Sequence, residues 1–176
     1  MVLVLKLVVA GEGGVGKTCL VERFCYGRYS DQRATIGTGF GAKVLDVDGQ
    51  KIKLQIWDFG GEKQFRVLLP NFARGAAGAL ICFDLTRYST FMQLEEWFDI
   101  LRGSTDDIPI ILIGNKLDLR NERVVTADVA RDYVQKRSLG GFIETSSKEN
   151  VNVFEAFREI SELMLKKRQK QLQFRW

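Results

Sequence analysis

The stretch Leu3-Val-Leu-Lys-Leu-Val-Val-Ala10-Gly11-Glu-Gly-Gly-Val-Gly16-Lys17-Thr18 decides the fold. Residues 3–10 are an aliphatic run, the pattern of a parallel strand covered on both faces. The run is far short of the ~20 apolar residues of a spanning helix, and no cleavage site follows it. It leads into a glycine-rich turn over 11–16, and a helix is predicted over 17–25. The turn matches G-x-x-x-x-G-K-[ST] in the strand–loop–helix context that the motif requires. Glycines let the backbone wrap closely round a phosphate chain, and successive N–H groups with the helix N-terminus present positive partial charge to the anion. The expected cradle is Gly11, Gly13, Gly14, Val15, Gly16 and Cys19, with Lys17 reaching the β- and γ-phosphates and the Thr18 hydroxyl on Mg²⁺. Alone the motif implies a nucleoside triphosphate and no more; the alternative is a glycine-rich turn with an incidental Lys-Thr.

Working outward, strands and helices alternate. Residues 41–46 and 50–58 flank Val47-Asp48-Gly49, and Asp-Gly between two alternating runs predicts a hairpin, hence one antiparallel edge strand. Buried strands are predicted over 77–84 and 108–114, and a short last one over 141–145. The apolar positions 91, 94, 97, 98 and 101 repeat with a helical period. A weaker amphipathic helix is expected over 127–136, with Thr126 as N-cap, and a third over 153–170. This order predicts a three-layer α/β fold: a six-stranded, mostly parallel sheet with one antiparallel edge strand and about five helices. Such sheets bind ligands at the carboxyl ends of their strands, where the motifs fall.

The 176 residues fit one domain, expected over 1–165 with a basic tail at 166–176. The formal charge is +4, which raises nucleic acid or an anionic membrane as partners. There is no histidine, which excludes imidazole general bases, Ser-His-Asp chemistry and His-ligated zinc. The three cysteines, Cys19, Cys25 and Cys82, form no disulfide or zinc pattern, which points to a reducing, cytoplasmic setting.

A second motif, Asn115-Lys116-Leu117-Asp118, follows the strand at 108–114. A carboxylate at Asp118 can accept from N1–H and the 2-amino group of guanine, a donor pair that adenine lacks. The Lys116 stem can cover the base plane, and Asn115 can tie this loop to the phosphate loop. A third motif, Asp58-Phe59-Gly60-Gly61-Glu62, closes the strand at 50–58. An acid at that place suits the second Mg²⁺-side carboxylate, and Gly61 can offer its N–H to a γ-phosphate. Its alternative is a turn with a strand-end acid.

Together these motifs resemble the Ras superfamily of small GTPases over nearly the whole chain, most of all its Rab-like branch. The resemblance rests on Gly16-Lys-Thr-Cys-Leu20, Thr35-Ile-Gly-Thr-Gly-Phe40, Lys53-Leu-Gln-Ile-Trp57-Asp58, Arg74-Gly75-Ala76 and Glu144-Thr-Ser146-Ser147-Lys148. It implies a GTP/GDP switch that hydrolyses GTP slowly, with Mg²⁺ held by Thr18, Thr35 and Asp58. It further implies a base loop of Ser146, Ser147 and Lys148, and Tyr29 stacked on the base. Effector proteins would meet Phe40, Trp57 and Phe72, for which ordinary packing is the alternative; an activating protein and an exchange factor are further implied partners. Catalytic roles would fall to Glu62, Lys17, Gly61 and Thr35.

Four departures stand out. Glu62 occupies the place of the family's water-orienting glutamine; a carboxylate can accept a proton but adds charge near an anionic transition state. The motif looks like that of some archaeal Ras-like GTPases, and a hydrolysis-deficient, GTP-loaded scaffold is the alternative. The segment between Tyr29 and Thr35 is one residue short. Phe59 and Gly60 replace Thr-Ala, from which extra mobility is expected. Ser147 replaces alanine. No arginine finger is evident; Arg28, Arg33 and Arg66 are the nearest candidates.

Neither a prenylation cysteine nor an N-terminal myristoylation glycine is present in the chain as given. Residues 166–176 hold five basic and no acidic residues, while the rest of the chain carries 21 basic and 22 acidic. The charge therefore argues for no nucleic acid. It leaves weak peripheral contact of the tail, with Leu172, Phe174 and Trp176, with an anionic membrane, against a solvated helix end.

Overall fold

A computed structural model describes residues 2–30 and 35–173. The first aliphatic run is β1 (Leu3–Gly11), followed by α1 (Lys17–Tyr26). The hairpin is β2 (Thr38–Val47) and β3 (Gln50–Phe59). Its turn residues Asp48 and Gly49 have φ of 51° and 79°, the double left-handed geometry that Asp-Gly tolerates, and Asp46 accepts the Gly49 N–H at 2.9 Å. Two short helices follow, α2 (Lys63–Arg66) and α3 (Leu69–Ala73), then β4 (Gly78–Asp84). The helical stripe centred on Phe91 and Phe98 proves to be two segments, α4 (Tyr88–Met92) and α5 (Leu94–Ser104). The backbone relaxes at Gln93, with φ −80° and ψ −6°. Periodicity could not reveal the break, because Phe91 and Leu94 are both buried across it. The chain ends in β5 (Ile110–Asn115), α6 (Ala127–Arg137), β6 (Gly141–Thr145) and α7 (Val153–Gln173). Thr126 caps α6 as expected, accepting the Val129 N–H at 3.4 Å.

Among the described residues the six strands lie in the order β2-β3-β1-β4-β5-β6, and only β2 and β3 pair antiparallel. Alternation along β1 feeds both faces. Leu5, Leu7 and Val9 pack with Leu20 and Phe24 of α1 and Phe157 and Ile160 of α7. Phe24 and Phe157 stack at 3.9 Å. Val8 and Ala10 face the other way, toward Leu69 of α3, Trp97 and Leu101 of α5 and Ala130 of α6. Three layers result, as the alternation of strands and helices implies. Among the described residues no helix is long and apolar enough to cross a membrane.

Candidate functional site

Strand register builds the site. Val9 of β1 lies beside Asp58 of β3, Asp84 of β4 beside Asn115 of β5, and Asn115 beside Thr145 of β6. The motif residues are therefore neighbours at the carboxyl ends of the parallel strands, where a cleft of about 500 Å³ opens. Its walls include Gly13, Gly14, Gly16, Lys17, Thr18, Cys19, Tyr29, Thr35, Gly61, Glu62, Asn115, Lys116, Asp118, Ser147 and Lys148. Four residues named from sequence stand behind that surface. Gly11 ends β1, Val15 and Ser146 are fully buried, and Asp58 is 2% exposed.

In the phosphate loop, Gly14 and Gly16 have φ of 71° and 95°, which turns the chain back on itself at little steric cost. The Lys17 side chain folds over the loop, and its Nζ donates to the carbonyls of Gly11 and Glu12, both at 2.8 Å. Burial pushes its ammonium below the ordinary lysine value, and the nearby Asp58 charge opposes that shift. Thr18 Oγ1 lies 2.5 Å from Thr35 Oγ1 and donates to Asp58 Oδ2. Burial raises the Asp58 carboxyl, against the Thr18 hydrogen bond and the Lys17 charge. Asp58 Oδ1 is buried with no hydrogen-bond partner among the described residues. Three hard oxygens thus converge from α1, β3 and the segment before β2, one with an unused lone pair. This donor chemistry suits Mg²⁺, which takes oxygen ligands from one or two carboxylates together with phosphates.

The Gly60-Gly61 pair runs between this cluster and the phosphate loop. Gly60 donates its N–H to the Gly37 carbonyl at 2.7 Å. A Cβ on Gly61 would lie 2.3 Å from the Glu12 carbonyl carbon and the Gly13 nitrogen. The extra glycine, Gly60, is also at a close backbone approach: a Cβ there would lie 2.6 Å from the Thr35 carbonyl oxygen and 2.9 Å from that of Gly37. Phe59 is 1% exposed and packs 5.9 Å from Phe72, anchoring the segment. Glu62 precedes α2 at the cleft wall, and its carboxylate accepts from Gln64 Nε2 at 2.9 Å.

Arg66, a candidate arginine finger by sequence, is engaged elsewhere. It does not line the cleft; it is buried, paired with Glu12 at 2.5 Å and with Glu96, and lies 4.7 Å over the Trp97 ring. Arg28 pairs with Glu22 at 3.6 Å and covers Tyr26. Arg33 lies outside the described residues, as do Phe174 and Trp176 of the tail.

On the other side, Asn115 Nδ2 donates to the Val15 carbonyl at 2.9 Å, the tie between loops expected from sequence. The Asn115 Oδ1 accepts from Thr145 Oγ1 at 2.5 Å, and Ser146 Oγ donates to Asp118 at 2.7 Å. Two positioning residues carry no motif signal. Arg23 of α1 donates to the carbonyls of Ser147 and Lys148 at 2.7 and 3.0 Å, and Arg87 donates to the Gly13 carbonyl at 2.9 Å. Phe40, Trp57 and Phe72 do come together: Phe40 meets Trp57 edge-on at 5.8 Å, and Trp57 lies 5.6 Å from Phe72.

Comparison with known proteins accords with this architecture. Residues 6–166 match the Ras family. The chain is 42% identical to the Ras-related protein RIC2 of Oryza sativa subsp. japonica over 157 residues, covering 88% of this chain and 72% of that protein. Over the same length and shares it is 43% identical to the Ras-related protein RABA1c of Arabidopsis thaliana and 41% identical to YPTC6 of Chlamydomonas reinhardtii. The chain therefore belongs to the Ras family, as a Rab-related small GTPase that hydrolyses GTP and serves as a signalling or trafficking switch.

Proposed function

We propose that the cleft holds GTP or GDP with Mg²⁺, and that the residues named from the motifs carry out binding and hydrolysis. The observation that carries this reading is the convergence of the Thr18, Thr35 and Asp58 oxygens beside Lys17. Thr18, Thr35 and Asp58 hold the ion, which when bound neutralises phosphate charge. Lys17 exchanges its two carbonyl acceptors for β- and γ-phosphate oxygens. The backbone N–H groups of Gly13, Gly14, Val15, Gly16, Thr18 and Cys19 cradle the phosphate chain. Gly61 donates to the γ-phosphate. Asp118 accepts from the guanine N1–H and 2-amino group, Lys116 and Tyr29 cover the base, and Asn115, Ser146, Ser147 and Lys148 build its loop.

Glu62 accepts a hydrogen bond from the attacking water and orients it in line with the bond that breaks, giving GDP and phosphate. Positioning and charge neutralisation supply most of the rate. Loss of the γ-phosphate removes the ligand that Thr35 and Gly61 share, so both segments relax. Effector proteins read that change at Phe40, Trp57 and Phe72; Phe40 is 58% exposed, which supports a docking role. An activating protein and an exchange factor act on the same segments. The exposed Lys166, Arg168 and Lys170 at the end of α7 give weak contact with anionic membrane; Lys167 is instead paired with Asp107 at 2.5 Å.

The test measures the nucleotide that co-purifies and single-turnover hydrolysis by wild type and Glu62→Ala. Bound guanine nucleotide and a variant at least ~10-fold slower are expected. Equal rates overturn the role of Glu62, and protein that retains no guanine nucleotide overturns the site.

A further inference from the structure

Asp84 ends β4 directly beside Asn115 in the sheet register, and the Leu85 N–H donates to the Asn115 carbonyl at 3.1 Å. Its side chain is fully buried, yet it belongs to none of the nucleotide motifs. Its carboxylate is filled by four donors. Oδ1 accepts from the Thr86 N–H at 2.9 Å and the Thr86 hydroxyl at 2.7 Å. Oδ2 takes Lys116 Nζ at 2.8 Å and Arg87 Nε at 3.0 Å. Arg87 then passes the connection on, its Nη2 donating to the Gly13 carbonyl of the phosphate loop at 2.9 Å. The Lys116 backbone is left-handed, with φ of 68°, a conformation disfavoured for a side chain with a Cβ and sustained only by its surroundings.

We propose that Asp84 is a positioning residue for base recognition: its carboxylate stretches Lys116 across the floor of the base pocket and ties that loop, through Arg87, to the phosphate loop. This rests on the reading of the cleft as a guanine-nucleotide site. The physical reason is preorganisation. A lysine stem is flexible, and holding it flat costs rotamer entropy that the ligand would otherwise have to supply. A buried anion with no solvent to turn to fixes the ammonium before any base arrives. Because Lys116 and Arg87 share one oxygen, displacement of either is felt by the other, which couples base and phosphate binding.

The experiment is stopped-flow dissociation of a fluorescent N-methylanthraniloyl GDP from wild type, Asp84→Asn, Lys116→Met and the double variant. Each single change is expected to speed release at least ~10-fold, and the double variant to release no faster than Lys116→Met alone. That pattern supports action through Lys116; a merely structural role for Asp84 would make the two effects multiply, which overturns the proposal. Unchanged release from Asp84→Asn, with wild type retaining the probe, overturns this inference alone. A wild type that never binds the probe overturns the site reading and this inference with it. If Asp84→Asn does not fold, Arg87→Met and Lys116→Met, singly and together, probe the same oxygen. Non-multiplicative effects on release support the hub, and independent effects overturn it.

Discussion

Arg66 Nη2 lies 2.5 Å from Glu12 Oε2, an ion pair between the helix that follows Glu62 and the phosphate loop. The other Glu12 oxygen accepts from the Gly13 N–H at 3.2 Å, so the pair also shapes the loop. Arg66→Met keeps a stem over Trp97 but leaves Glu12 and Glu96 without their partner. Their side chains are 24% and 50% exposed, so the loss is expected to fall below that of a fully buried pair, at about 1–3 kcal/mol. Urea unfolding of the GDP-loaded protein measures it, and slower single-turnover hydrolysis is expected alongside, because α2 no longer holds Glu62 in place.

Gly61→Ala tests the close approach at the phosphate loop. The added Cβ meets backbone atoms of Glu12 and Gly13 at 2.3 Å, and backbone cannot rotate aside as a side chain can. The Gly61 segment must withdraw. Hydrolysis is expected to fall at least ~10-fold, equivalent to about 1.4 kcal/mol of barrier. GDP release, measured by fluorescence, should change little, because GDP lacks the phosphate that Gly61 would meet.

Tyr133 gives a pH prediction. Its hydroxyl is buried without a hydrogen-bond partner among the described residues. Burial, with the charge of Asp99 second, pushes its pKa up to about 12. The unfolded chain ionises at the ordinary value near ~10, so the fold keeps its full stability below that value and loses it as pH rises toward 12. Tyr133→Phe should gain about 0.5–1 kcal/mol near neutrality by removing an unpaired hydroxyl. It should also flatten the decline in melting temperature between pH 10 and 12. A variant less stable than wild type at pH 7 contradicts this.

Cys82 gives a reactivity prediction. It sits fully buried in β4, and burial pushes its thiol up to about 12. Thiolate is the reactive form. A thiol reagent at pH 8 should therefore leave Cys82 unmodified in the native protein and modify it at the rate of unfolding. Peptide mass mapping of partly labelled samples checks this.

The central strands were legible as short aliphatic runs and the hairpin strands as alternating ones, each bounded by turn residues; the last, Gly141–Thr145, coincides with its expected bounds. The hairpin was legible in Asp48-Gly49 for the same local reason. By contrast α2 and α3 left no periodic trace, since four and five residues are too few to repeat a helical pattern. The phosphate loop, Asp58 and Asn115-Lys116-Leu117-Asp118 could be read as a site because backbone conformation and residue type are both local there. The uses of Arg23, Arg66, Asp84 and Arg87 could not, because each is set by a partner distant in the chain: Glu12 for Arg66, Lys116 for Asp84, Ser147 for Arg23 and Gly13 for Arg87.

The sequence by itself determined the layer architecture, the guanine-nucleotide chemistry and the family, because turn chemistry, aliphatic runs and spaced motifs act over a few residues. Only the tertiary structure decided which charges serve the cleft and which hold it together. Arg66 could be read as a finger in the linear chain, and becomes a buried strut once its side chain reaches Glu96 and Trp97 of α5. Gly60 could be read as slack in the linear chain, and is a point of close approach once the Thr35 and Gly37 carbonyls lie against it. The reason in each case is that burial and charge pairing depend on distance in space, which register and packing set and residue order does not.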